Sequence, residues 1–416
     1  MRRHFGLQFA AIALLLVACT VGPSERPSPS EAASLSASPA PTVAVSSPAP
    51  SASASPAAEP LPGVQTIPLS QVTGNWLFYG VRVPRPERNR IEVQIVAVPV
   101  GGGGAKTVVA FDAAIPANPN GISDTTPYLR RQFSPDGRRM VFSIDGQLVV
   151  IDLVTGRATP LGVQGFYPSW SRDGSLIAFV FEKADPLMKP GHDDVVEAIG
   201  VVPAAGGSPR ELTIVGTVRH SVEWSPDGSR IFFSHNYRLA GGFADATMEV
   251  ASGRIGTPGG GGIPSFAHWR AGSPELAIAG YAGIVAIDEG AGSVKTLVDV
   301  AEPGKVYLRD PRWNPAAADE LLYVAARYSG LDSSPGGGAE ETHVLNIATG
   351  KDTRLPISAY EATWTWDGSA VAYLATSPGS SFGSALRVWK RDGSGETELR
   401  RATDGEAFFS IASVNY

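Results

Sequence analysis

The feature that most constrains this chain is a short unit, an aromatic residue followed by a polar turn, that recurs along most of its length. The clearest copies are Phe133-Ser134-Pro135-Asp136-Gly137, Trp170-Ser171-Arg172-Asp173-Gly174, Trp224-Ser225-Pro226-Asp227-Gly228 and Trp364-Thr365-Trp366-Asp367-Gly368. Trp269-Arg270-Ala271-Gly272 and Trp313-Asn314-Pro315 are degenerate copies. Successive anchors lie 37 to 54 residues apart. A period of that size marks a chain built from stacked supersecondary units that share cores with their neighbours. Ser-Pro-Asp-Gly suits a type I turn: Pro presets φ at the second corner and Gly fits the fourth. The aromatic before it is large enough to fill a wedge between neighbouring sheets.

After each turn comes an apolar, β-branched or aromatic strand, such as Leu176-Ile177-Ala178-Phe179-Val180 or Ile231-Phe232-Phe233. A third strand ends in a Gly hairpin, as in Val149 to Gly156 and Val344 to Gly350, and a short fourth follows, as in Arg210 to Thr213. Four antiparallel strands per unit predict an all-β fold, a single β-propeller. The motif resembles the TolB-type propeller repeat over about residues 76–416, and the resemblance implies a fold rather than a function. TolB's own preceding α/β domain has no counterpart here. Trp76 to Tyr79 and Ile91 to Val98 look like second and third strands without an anchor, and Phe408 to Ala412 like an anchor strand without followers. Joining them closes the wheel through the N- and C-terminal strands, giving about seven blades; six, as in TolB, is the alternative. Closure leaves no free sheet edge.

The N-terminus reads as an address. Arg2 and Arg3 precede an apolar run from Phe5 to Ala18, too short for the roughly 20 residues of a membrane-spanning helix. The run ends in Leu16-Val17-Ala18-Cys19, which resembles the lipobox of bacterial lipoproteins. That resemblance implies a signal peptide over residues 1–18, cleavage, and a diacylglycerol on Cys19, so that the protein is exported and held on the cell membrane, facing the periplasm or the cell exterior. Residues 19–63 are rich in Ser, Pro and Ala and lack hydrophobic periodicity, which predicts a disordered tether reaching roughly 35–40 Å. Residues 64–416 are the propeller.

Composition narrows the chemistry. A net charge of −6 with no Lys/Arg run offers no phosphate-binding footprint, so no nucleic acid is expected. A single cysteine rules out an internal disulfide and a cysteine zinc cluster. Gly379-Ser380-Ser381-Phe382-Gly383 matches a hydrolase nucleophile elbow by pattern but lacks the strand-to-helix context that motif requires. His192-Asp193-Asp194 lacks ligand spacing, and the Gly runs at 101–104, 259–262 and 336–338 lack a phosphate-loop ending. Asp392-Gly393-Ser394-Gly395-Glu396 reads as a hairpin turn. No catalytic group, metal site or cofactor is expected.

The approaches to the anchors are the candidate binding positions. Equivalent residues of successive blades form a ring at one mouth of a propeller channel. Here they are Tyr128, Arg130, Tyr167, Arg219, His220, His268, Arg309, Asp310, Tyr360 and Glu361. Tyr, Arg and His are frequent in recognition surfaces. The leading reading is a membrane-anchored binding or scaffold module for a protein, peptide or envelope polymer. The rivals are a propeller enzyme acting at the channel, as hydrolase, lyase or quinone-dependent dehydrogenase, and an accessory or sensory subunit of an envelope complex.

Overall fold

The computed structural model describes residues 64–66, 68–69, 74–114, 128–185, 195–236, 244–256, 266–280, 283–300, 306–327, 340–376 and 382–415, without the side chains of 114, 219–221, 236 and 376. The expected signal peptide, lipidated Cys19 and tether lie outside the described residues, as do His192-Asp193-Asp194, Gly379 to Ser381 and the Gly runs at 259–262 and 336–338.

The described chain is built almost wholly of strands. β1 (Val64–Thr66), β2 (Asn75–Arg85), β3 (Arg90–Pro99) and β4 (Lys106–Ala114) form a sheet in the order β1-β4-β3-β2, continued by the C-terminal strand β27 (Ala407–Asn415). β2 pairs with β27 antiparallel from Asn75↔Asn415 to Arg82↔Ala407. A helical turn, α1 (Leu129–Gln132), precedes β5 (Arg139–Ile144), β6 (Gln147–Asp152) and β7 (Ala158–Gln164). Next come β8 (Phe166–Trp170), β9 (Leu176–Ala184), β10 (Val195–Pro203) and the long β11 (Arg210–Trp224). Residues 210–216 of β11 pair with β10; residues 217–224 pair with β12 (Arg230–Asn236), followed by β13 (Ala244–Glu249) and β14 (Ile255–Gly256). Gly216, at φ +80°, is the residue at which one strand changes sheets. Three further antiparallel sets follow: β15 (Phe266–Trp269) to β18 (Ser293–Asp299); β19 (Val306–Trp313) to β22 (Lys351–Arg354); and β23 (Ala359–Trp364), β24 (Ala370–Thr376), β25 (Gly383–Lys390) and β26 (Gly395–Arg401).

Within each of these sets the strands run in order, and the anchor aromatic ends the first. One expected first strand is missing. Residues 129–132 turn as a helix instead, leaving Phe133 a single bridge to Met140. The Leu129 N–H donates to Ser410 Oγ at 3.0 Å, so its backbone is satisfied by the C-terminal strand rather than by a ladder.

Apolar cores sit between consecutive sets rather than within one. Trp170, Ile177 and Phe179 pack against Val141, Leu148 and Val150. Trp224, Ile231 and Phe233 pack on Ala178, Val180 and Ile199. Trp269 and Leu276 meet Phe232, and Trp313 and Leu321 meet Ala277 and Ile284. Trp364 and Val371 meet Leu322 and Val324. Leu374 and Leu386 pack on Leu77, Tyr79 and Phe408. Phe78, Ile95 and Phe409 pack on Phe133, Met140 and Phe142.

Each anchor does more than fill space. The indole N–H of Trp224 donates to the Ser169 carbonyl (3.0 Å), that of Trp269 to Glu223 (3.4 Å), that of Trp313 to His268 (3.0 Å) and that of Trp364 to Arg312 (3.0 Å). In every case the acceptor immediately precedes the anchor of the preceding set. The turns are held by their hydroxyl and carboxylate. Ser134, Ser171, Ser225 and Thr365 each donate to the Asp two residues on, at 2.5–2.6 Å, and each accepts the backbone N–H five residues on. That bond explains why Arg172 and Trp366 can stand where the other copies carry Pro.

Candidate functional site

The residues just before the anchors converge. Five of the first strands break register at this level, at Phe166/Ser169, Arg219/Glu223, Arg309/Arg312, Ala359/Glu361 and, in β27, opposite Tyr79/Gly80. A bulge re-aims a side chain out of the ladder alternation. Tyr167 (φ +52°), Asp310 (φ +53°) and Ser410 (φ +43°) occupy three of these breaks in left-handed backbone, a strained state for non-glycine residues that neighbouring structure must hold.

Asp310, Arg312 and Glu361 are buried at 3%, 4% and 6% exposure, and Glu223 at 3%. Isolated charges there would cost several kcal/mol each, so they occur as pairs. Arg130 Nη1 meets Glu223 Oε1 at 2.7 Å, and Arg131 ion-pairs with the other oxygen. Arg130 Nη2 also donates to the Ala267 carbonyl at 3.0 Å. Arg309 bonds to Asp310 (2.7 Å) and Glu340 (2.6 Å) and donates to the Tyr360 carbonyl. Arg312 stands 3.3 Å from Asp310 and 3.8 Å from Glu361. Glu361 Oε1 accepts from Ser410 Oγ and from the Ile411 N–H, each at 3.3 Å.

The two neighbouring acids are driven apart. Burial pushes Glu361 up to about 7, with Asp310's charge adding to the effect and Arg312 opposing it. Burial also works against ionising Asp310, yet Arg309 and Arg312 hold it below the usual carboxylate range. Glu223 is likewise held low against its burial by Arg130 and Arg131. Burial brings Arg131 down to about 10, with Glu223 opposing. Burial, reinforced by the charges of Arg130 and Arg312, keeps His268 well below its ordinary value and hence neutral. Its Nδ1 accepts the Trp313 N–H at 3.0 Å, which places the ring proton on Nε2.

Aromatic rings border this charged floor. Tyr128 meets Phe266 edge-on at 6.3 Å, and Phe266 meets Tyr307 at 6.0 Å. Tyr360 lies 6.4 Å from Phe382. Arg131 covers Tyr128, Arg309 covers Tyr360 and Arg82 covers Phe382, at 5.4, 5.7 and 5.1 Å. Tyr128, Phe266, Tyr360 and Phe382 are all part-exposed.

Of the residues singled out in the sequence, Tyr128, Arg130, His268, Arg309, Asp310, Tyr360 and Glu361 therefore belong to one neighbourhood. Tyr167 stacks edge-on with Phe166 at 5.2 Å. Arg219 and His220 lie on β11, with side chains outside the described residues. Sequence reasoning missed Glu223, Arg312, Glu340 and Ser410 as partners. Position just before an anchor was a usable signal for Glu223 and Arg312; none pointed to Glu340. Among the described residues no group of three or more His, Cys, Asp or Glu is placed to hold a metal ion, and no helix is long and apolar enough to cross a membrane.

No protein-family model and no curated protein matches this sequence. Solved structures similar to it include a puromycin hydrolase, at 18% identity and TM-score 0.54 over 82% of this chain and 54% of that one. TolB from Acinetobacter baumannii matches at 16% identity and TM-score 0.43 over 81% and 82% of the two chains. An oligogalacturonate lyase in complex with manganese matches at 15% and 0.47 over 67% and 80%. The chain spans about half the length of the puromycin hydrolase, and that likeness is one of fold alone. The repeated antiparallel sets and the apolar cores between them are those of a β-propeller fold.

Proposed function

We propose that residues 64–416 form one closed wheel of seven blades, exported and held on the cell membrane through Cys19 and a flexible tether, acting as a binding module for a protein, peptide or envelope polymer. Pairing of β2 with β27 supports the closure. Seven is favoured over six because the degenerate anchors Trp269 and Trp313 each head four full strands. The recognition surface is the end where the first strands begin. The observation that carries this reading is the part-exposed aromatic border over a floor whose charges neutralise one another. Aromatic and arginine side chains supply most of the affinity at such surfaces, while buried compensated pairs supply rigidity.

The test uses the full chain in detergent, immobilised and offered envelope peptides, proteins and soluble wall polymer. The double variant Tyr128→Ala/Phe266→Ala is expected to lose retention about tenfold or more while still melting cooperatively. Undiminished retention overturns this surface as the site. The enzyme reading has one observation in its favour, the separation of Glu361 and Asp310 into a raised and a lowered acid, a pattern that acid–base pairs share. Chemical conversion of a retained ligand that Glu361→Gln abolishes would favour it.

A further inference from the structure

The hairpin of β2 and β3 carries four arginines, and three of them are neutralised. Arg85 bonds to Glu92, Arg88 to Asp112 at 3.0 Å and Arg90 to Asp145 at 2.6 Å. Arg82 has no carboxylate partner among the described residues. It is half-buried, and its guanidinium lies over the Phe382 ring, 5.1 Å from its centre, and that ring in turn meets Tyr360. Burial lowers the affinity of Arg82 for its proton, opposed only in part by the Tyr360 phenol. A desolvated, uncompensated cation beside two part-exposed rings is incomplete in charge, whereas the neighbouring Arg309 is saturated by Asp310 and Glu340.

We propose that Arg82, Phe382 and Tyr360 capture the free carboxylate of a peptide that ends in an aromatic residue. The guanidinium fork suits a carboxylate, because two parallel N–H donors match its two oxygens. Capture of a chain terminus is a recurring mode of peptide recognition. The ring geometry favours an aromatic residue over a sugar. The border rings meet at 51–74°, offering edges as well as faces, which is how aromatic side chains pack on one another. A pyranose stacks best on a single flat platform. This inference rests on the proposed recognition surface and assigns its ligand.

The experiment measures binding of a labelled hexapeptide ending in Tyr to the full chain in detergent, by fluorescence anisotropy. The same peptide with a C-terminal amide and a glucuronate oligomer are competing probes. The free acid is expected to bind about tenfold more tightly than the amide, the scale of one charge-assisted hydrogen-bonded pair. Arg82→Met, which keeps the apolar stem, is expected to erase that preference, so that acid and amide bind equally. Equal binding of acid and amide, no binding of either, or an acid preference that survives Arg82→Met overturns the proposal. Displacement by glucuronate alone overturns the peptide assignment. If Arg82→Met does not melt cooperatively, Arg82→Gln takes its place, and the acid–amide comparison on the unaltered chain stands regardless. Loss of retention in Tyr128→Ala/Phe266→Ala with no acid preference would sink this inference alone. An acid preference with unaffected retention in that double variant would sink only the broader reading.

Discussion

Glu361 joins three segments that are far apart in sequence. It sits on β23, accepts hydrogen bonds from Ser410 and Ile411 of β27, and through Ser410 reaches the backbone of Leu129. Its carboxyl titrates near 7 in the folded protein against 4.5 for an ordinary glutamate. Between those values the unfolded chain ionises first and binds fewer protons, so this residue's contribution falls as pH rises and is fully lost above about 7. Glu361→Gln is therefore expected to raise the melting temperature more at pH 8 than at pH 5, as read by calorimetry at both values. A difference independent of pH would show that the group is not held neutral. The anchors were legible in the sequence because an aromatic followed by a turn is a local pattern. The ion pairs were not, because Arg130 and Glu223 are 93 residues apart and meet only once the bulges have fixed where each strand points.

At the scale of elements, the joining of β2 to β27 is the contact on which the rest leans. Both strands were visible as apolar runs without complete partners, Trp76 to Tyr79 at one end and Phe408 to Ala412 at the other. What could not be read was their close fit. Gly80 lies against the ring of Phe409, and a Cβ there would stand 2.3 Å from it. Gly80→Ala is thus expected to destabilise the protein by about 1–3 kcal/mol, the usual penalty for overpacking. Urea denaturation measures it, and an unchanged midpoint would mean that Phe409 can move aside. The helical turn at Leu129–Gln132 also escaped the sequence, since its backbone is satisfied from the far end of the chain.

For the whole molecule, the repeat spacing sufficed to indicate a β-propeller built of antiparallel units, while the chemistry of the residues before the anchors depended on how those units meet. The proposed anchorage is tested by Cys19→Ala, which is expected to move the protein from the membrane pellet to the soluble fraction, because two acyl chains hold far more firmly than none. Retention in the pellet would count against lipidation. A last consequence comes from β1. It pairs with β4 on the outer edge, Thr66 bonds to the Gly156 carbonyl, and the Leu69 N–H donates to Leu153 at 2.7 Å. Any mechanical pull arriving from the N-terminal side meets these clasps before it reaches β2. They would act as strain relief, so that a pull from that side peels a short outer strand before it loads the β2–β27 pairing.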